Sequence, residues 1–199
     1  MGKLGFLIVT LLSVQSMANW SVVAGARSGG LDSSSLTNSG TTTFSFPTQT
    51  GYEFGGAYTY MFNSYFGIRP SALYTNVGFG YSDTVTGFGS GTSTYSGNIF
   101  MIPIMLMADL GSHLNIQAGG FYWTTTGNLS CTFTGVNQAG AQCVWGNGGG
   151  FGTRAAIGVS FSSMELDLAY EPKFAITTAT SSVPQWSLNT FILDFLYHF

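Results

Sequence analysis

The sequence predicts an all-β protein, an eight-stranded antiparallel up-and-down transmembrane β-barrel, and three observations carry that expectation. The first is strict alternation at the C-terminus. Phe191, Leu193, Phe195, Tyr197 and Phe199 make one apolar row, while Ile192, Asp194, Leu196 and His198 make a mixed opposite row. A strand sends alternate residues to opposite faces. The second is composition: 7% of the residues are charged and 16% are aromatic, against roughly a quarter charged in an ordinary soluble domain. A soluble surface needs charge to stay dispersed, and a lipid-facing band does not. The third is the alternation of long and short connections between strand candidates, developed below.

The first eighteen residues read as an export signal. Lys3 supplies the positive start, Leu4 to Val14 a short apolar run, and Ser16-Met17-Ala18 a small-x-small cleavage pattern. Cleavage is expected after Ala18, leaving 19–199 as one barrel domain. The apolar run of 11 residues falls short of the roughly 20 that a spanning helix needs. Closed strands satisfy their own backbone groups in lipid, so a chain without a helical anchor can still cross a membrane.

The strand candidates follow in order. Trp20 to Arg27 alternates Trp20, Val22, Ala24 and Ala26 against Ser21, Val23, Gly25 and Arg27. Tyr52 to Phe62 sets Tyr52, Phe54, Tyr58 and Tyr60 against Glu53, Gly55, Ala57 and Thr59, and Asn63-Ser64 supplies a tight turn. Phe66 to Tyr74 sets Phe66, Ile68, Pro70, Ala72 and Tyr74 against Gly67, Arg69 and Ser71; Pro70 cannot donate to the ladder and weakens this strand. Asn98 to Ala108 is apolar on both faces, with Phe100, Ile102, Ile104 and Leu106 opposite Met101, Pro103, Met105 and Met107. After the turn 109–113, Leu114 to Trp123 opposes Leu114, Ile116, Ala118 and Tyr122 to Asn115, Gln117 and Gly119. Phe151 to Phe161 points Arg154, Ala156, Gly158 and Ser160 inward. A turn at Ser162-Ser163 leads to a strand with Leu166, Leu168 and Tyr170 outside and Glu165, Asp167, Glu171 and Lys173 inside. The closing strand completes eight.

Polar Ser/Thr/Gly-rich stretches at 28–50, 76–94, 124–150 and 175–184 read as long loops, and short turns join the remaining neighbours. Long loops at one end and short turns at the other are the pattern of an outer-membrane barrel, with both termini at the short-turn, periplasmic end. A Greek-key sandwich predicts no such alternation. An interior of this size is filled by side chains.

A terminal Phe with an aromatic two residues before it (Phe195, Tyr197, Phe199) resembles the closing-strand signature of bacterial outer-membrane barrels. That resemblance implies contact with the barrel-assembly machinery during biogenesis. Ile102-Pro103-Ile104-Met105-Leu106, a short turn, then Leu114-Asn-Ile-Gln-Ala-Gly-Gly-Phe-Tyr122 is similar to the central hairpin of the OmpX/PorT-like small outer-membrane β-barrel proteins, and Gly152 to Ala169 and Tyr197-His198-Phe199 extend the likeness. Those families include adhesion-related proteins, structural anchors and secretion accessories. The likeness therefore speaks to fold, with cell outer membrane localisation and outer-membrane lipids as surroundings, and little to function.

The candidate functional residues are few. Arg27, Glu53, Arg69, Arg154, Glu165, Asp167, Glu171, Lys173 and Asp194 share the inward parity, and buried ions must be paired or hydrated. They are expected to form a charged plug in the lumen; a narrow ion pathway is the alternative. The Met101, Met105 and Met107 row is expected to be a packed apolar layer. It could instead hold an acyl chain or another apolar ligand, since methionine adapts to variable shapes, or mark a homo-oligomer contact. Cys131 and Cys143 suit a disulfide in an oxidising compartment, worth about 3 kcal/mol for a loop of this length and mostly local to that loop. No His or acidic residue lies between them, so no metal is expected, and no glycine cluster opens a helix as a phosphate cradle would. No cofactor is implied.

A hydrolytic site needs His with Ser and an acid near the outer leaflet, yet His113 and His198 both fall at the short-turn rim, and the loop hydroxyls have no base beside them. Five Lys and Arg residues are too few for a nucleic-acid footprint. Trp20, Tyr65, Tyr74, Trp123, Tyr197 and Phe199 fit two aromatic girdles. The expectation is a non-enzymatic barrel with a structural or surface-interaction role, a narrow pore or apolar-ligand barrel being the alternative; the loops identify no extracellular partner.

Overall fold

The computed structural model describes residues 18–32, 42–111, 113–127, 130–135, 148–175 and 187–199. Residues 1–17 of the expected export signal and 176–184 of the expected loop at 175–184 lie outside the described residues, as does Cys143. Among the described residues there are ten strands: β1 (Ala18–Leu31), β2 (Thr42–Ser45), β3 (Gln49–Met61), β4 (Phe66–Val85), β5 (Gly89–Asp109), β6 (Leu114–Thr125), β7 (Ser130–Gly135), β8 (Gly149–Phe161), β9 (Met164–Ala175) and β10 (Ser187–His198). Eight of them, β1-β3-β4-β5-β6-β8-β9-β10, pair antiparallel with their neighbours. β10 pairs with β1, so the sheet closes on itself. The closing register runs from Ser21 opposite His198 to Leu31 opposite Leu188. The Phe199 N–H reaches the Trp20 carbonyl at 2.9 Å. Closure removes the free edges that an open sheet of this length would leave.

The alternation read from the sequence sorts the faces as expected. Val22, Phe54, Ile104, Leu106, Leu168, Phe191 and Leu193 are exposed outward, where lipid would meet them; Val23, Leu73, Ile99, Met101, Phe121, Ile192 and Leu196 are buried inward. Tight turns close the short end. The Asn63 side-chain oxygen accepts from the backbone N–H of Tyr65 and of Phe66, each at 2.8 Å, the Asx geometry that lets a short loop reverse the chain. Two prolines interrupt the ladders as their missing N–H groups imply: β4 has no partner pairs with β3 at Arg69 and Pro70, and none with β5 at Ser71 and Ala72, which lie opposite Pro103 and Ile102.

The long-loop end departs from expectation. The segment 76–94, read as a loop, is instead the upper half of one hairpin. β4 and β5 stay in register from Asn76 opposite Asn98 to Val85 opposite Gly89, where Gly87 turns the chain at φ 88°. With 20 and 21 residues, these strands far exceed the roughly 9–11 that a tilted membrane strand needs. β2 adds to the β4 side of the extension and β7 to the β5 side, so the loops at 28–50 and 124–150 contain strand as well. The reason is local. Val77, Phe79 and Tyr95 alternate inward among glycine, serine and threonine, so the period survives in a composition that reads as loop. Phe79 and Tyr95 stack with centroids 4.7 Å apart, and Tyr95 meets Phe133 of β7 edge-on at 5.8 Å. Burial, helped by the neighbouring Tyr81, pushes the Tyr95 hydroxyl up to about 12, so it stays a neutral member of this layer.

Candidate functional site: the ion-pair network in the lumen

Below that aromatic layer the lumen is charged. Arg27, Glu53, Arg69, Arg154, Glu165, Asp167, Glu171 and Asp194 all project inward and are 0–7% exposed. They form two tiers. In the tier nearer the long loops, Arg27 bridges Glu53 and Glu171. Arg154 holds Glu53 at 3.0 Å, Glu171 at 3.4 Å, and Asp194 as well. The planar guanidinium suits this work, because its fork of donors can engage several carboxylates at once. In the tier nearer the short turns, Arg69 grips both oxygens of Glu165, at 3.0 and 2.8 Å, and reaches Asp167 at 3.1 Å. Its Nε donates to Thr59 at 2.9 Å. Asn115 donates to Glu165 at 2.9 Å and Gln117 to Asp167 at 2.9 Å, so neutral amides supply donors where guanidiniums run out.

Lys173 is a correction. Its parity predicted a place in the lumen, but its side chain is 75% exposed, and its Nζ lies 3.9 Å from Asp32. The β9–β10 register shifts between Leu188 and Thr190, and Lys173 has φ 45°. Beside Pro172, a bulge reverses the parity that a regular strand would keep. Trp123 is another correction: assigned to the outer girdle by residue type, it is 3% exposed and packs in the lumen with Phe121 and Met101. Trp20, Tyr65, Tyr197 and Phe199 do face outward.

The methionine row is buried, and Met101 Sδ lies 3.8 Å from Arg27 Nη1. A cavity of about 20 Å³ beside Met105 lies between the tiers. A pocket for a small organic ligand needs roughly 300 Å³ or more. Cys131 sits on β7, and its expected partner Cys143 lies outside the described residues.

The sequence reading missed one constellation. His113 is exposed in its turn, but His198 turns inward: Nδ1 lies 2.7 Å from Ser21 Oγ and Nε2 lies 3.1 Å from Glu165 Oε2. The signal was present, since Ser21, Glu165 and His198 share the inward parity. What alternation alone withholds is the register that places Ser21 directly opposite His198. The chain ties together the first and last strands and β9.

Among solved structures, the chain is similar to neisserial surface protein A, with 13% identity over 92% of this chain and 99% of that one, and a TM-score of 0.54. It is also similar to Ail of Yersinia pestis in complex with the heparin analogue sucrose octasulfate, at 12% identity, 92% and 99% coverage and a TM-score of 0.48. A third is OprG, an outer membrane protein from Pseudomonas aeruginosa, at 12% identity, 91% and 96% coverage and a TM-score of 0.49. No family model matches the chain, and no curated protein matches its sequence. The likeness is one of fold: the chain is an eight-stranded barrel of the outer-membrane type.

Proposed function

We propose that this protein is a non-enzymatic outer-membrane barrel whose lumen is closed, with a structural or surface-interaction role. The observation that carries the reading is the double closure of the lumen. Two ion-paired tiers fill its lower part, the buried Ile99, Met101, Phe121 and Trp123 pack above them, and Val77, Phe79 and Tyr95 of the extended hairpin continue that apolar cluster. Ions pass through hydrated constrictions, and paired, dehydrated charges under packed rings offer none. The β4–β5 hairpin, flanked by β2 and β7, then stands outside as a platform of four strands, with Phe88 at its tip 80% exposed. A Cys131–Cys143 disulfide would tie the segment after β7 back to this platform. Export through the N-terminal signal and insertion by the barrel-assembly machinery complete the proposal.

The platform does not resemble a polyanion receptor. Of the five basic residues, three are in the lumen and Lys3 lies outside the described residues, leaving Lys173 as the exposed cation among those described. The Ser21–His198–Glu165 chain is read as a clasp. Ser21 is 3% exposed, and Arg69 already holds both oxygens of the Glu165 carboxylate. Native mass spectrometry of the barrel, gently extracted from its own membrane, tests the reading. The bare protein mass is expected; a stoichiometric lipid or apolar adduct would overturn it in favour of a carrier.

A further inference from the structure

The lumen network does not balance. Three guanidiniums face five carboxyl groups, so with all five ionised and His198 neutral two negative charges are in excess. The excess divides evenly. Arg27 and Arg154 stand against Glu53, Glu171 and Asp194 in one tier, and Arg69 stands against Glu165 and Asp167 in the other. Each tier lacks one positive charge, in an interior where a buried charge needs a partner.

Each tier also contains one pair of carboxyl groups in direct contact. In the tier nearer the short turns, the Asp167 and Glu165 side chains lie within hydrogen-bond reach of each other. They share their donors. Arg69 Nη1 reaches Glu165 Oε1 at 3.0 Å and Asp167 Oδ2 at 3.1 Å, and Gln117 Nε2 reaches the same two oxygens at 3.4 and 2.9 Å. In the other tier Asp194 and Glu53 are the pair, and Arg154 Nη2 donates to both. Gly25 lies between them in the sheet, opposite Asp194 on one side and Glu53 on the other. A Cβ there would strike Asp194 Oδ1, so the glycine leaves the room in which the two carboxyls meet.

Two carboxylates at hydrogen-bond distance repel too strongly for both to ionise, and one keeps its proton and donates it to the other. The hydrogen bonds say which keeps it. Both oxygens of Glu53 and both of Glu165 accept from guanidiniums. Asp167 Oδ1 and Asp194 Oδ1 are fully buried and receive no donor, a costly state for an ionised carboxylate.

We propose that each tier binds one proton, held between Asp167 and Glu165 in one and between Asp194 and Glu53 in the other, so that the lumen is neutral while both protons are bound and the plug loosens when alkali removes them. The two protons cancel the excess of two charges. The groups facing the first dyad are Arg69 of β4, Asn115 and Gln117 of β6, and Asp194 and His198 of β10. Those facing the second are Arg27 of β1, Arg154 of β8, and Glu171 and Asp167 of β9. His198, with its side chain 17% exposed at the short-turn rim, joins the first dyad to solvent. The proposal goes beyond the closed-barrel reading: conductance reports closure, and the measurements below report protons.

The test is infrared spectroscopy and urea unfolding of the full barrel in zwitterionic lipid vesicles as the pH is raised. At neutral pH the parent should show the C=O stretch of un-ionised carboxylic acid. Asp167→Asn and Asp194→Asn should each remove part of that band, and alkali should abolish it. Above the ordinary carboxylate range, near pH 4, the native state holds two protons that the unfolded chain does not. Stability is therefore greatest at the acid end of this window, and the folding equilibrium constant should fall by up to about a hundredfold per pH unit until the native state gives its protons up. Each Asn variant, whose amide stands in for the neutral acid, should reduce the fall to about tenfold per unit and should be at least as stable as the parent in alkali. The fall should persist in His198→Gln, which removes the other proton-binding group beside Glu165. A parent without the acid band at neutral pH, or with stability that is flat or rising from neutral pH into alkali, would overturn the proposal. Loss of the pH dependence in His198→Gln would also overturn it, by placing the proton on the histidine. Should a variant fail to fold, the parent's own band decides the matter: its presence at neutral pH and loss in alkali support the two dyads, and its absence refutes them.

Discussion

Arg154 is the residue on which the upper tier depends most. Replacing it with methionine keeps much of the side chain's length and removes the charge. Glu53 then loses both bonds at 3.0 Å from this guanidinium, Glu171 loses its contact at 3.4 Å, and Asp194 loses its donor. Arg27 alone would face three carboxylates in a lumen where all are buried. Breaking a buried pair by removing one partner costs about 3–5 kcal/mol, and the upper part of that range applies because Asp194 is left without a donor while Glu53 and Glu171 keep only Arg27. Removing one orphan as well, with Asp194→Asn, should recover about 1 kcal/mol or more. The assay is reversible unfolding in lipid vesicles followed by tryptophan fluorescence, with the heat-modifiable gel shift as a check that the barrel closes. A loss below about 1 kcal/mol, the value of a solvent-exposed salt bridge, would refute the reasoning, because it would mean that water already surrounds these groups.

Lys173→Ala should change stability by less than about 0.5 kcal/mol, since its contact with Asp32 is long and exposed; the same unfolding assay checks this. Gly158→Ala should cost about 1–3 kcal/mol through overpacking against Asp167 and Asn115, whereas Gly87→Ala should cost less, because its Cβ meets nothing within 4 Å and only the positive φ is strained. His198→Ala should destabilise the barrel by about 1–3 kcal/mol by leaving Ser21 and Glu165 short of a partner, and Ser21 in the parent should resist serine-directed phosphonate labelling. Reduction of a Cys131–Cys143 bridge should raise protease sensitivity near β7 without moving the unfolding midpoint of the barrel, as read by limited proteolysis beside the unfolding curve.

The parts of this fold that were legible in the sequence are those governed by period two. Alternation at Trp20–Arg27, Tyr52–Phe62 and Phe191–Phe199 needs no tertiary knowledge, and it placed eight of the nine proposed lumen ions on the inner face. Their pairing was not legible. Arg27 meets Glu171 across 144 positions and Arg69 meets Glu165 across 96, and such contacts depend on the stagger that closure imposes on the strands. The Lys173 error came from a bulge that shifts parity. The Trp123 error came from letting residue type overrule a parity that pointed inward. The extended hairpin was missed because glycine, serine and threonine masked a sparse inward row of Val77, Phe79 and Tyr95. His198 was judged by its distance from the outer leaflet, when its register partner Ser21 was the informative neighbour.

The central claim is that paired charges and packed rings close this lumen, and single-channel recording in planar lipid bilayers tests it most directly. The purified barrel, inserted at neutral pH in symmetric salt, should give no discrete conductance steps. The Arg154→Met variant, if it folds, should begin to show them. Stable, voltage-independent steps from the unaltered protein would contradict the account and make the two tiers the walls of a pore.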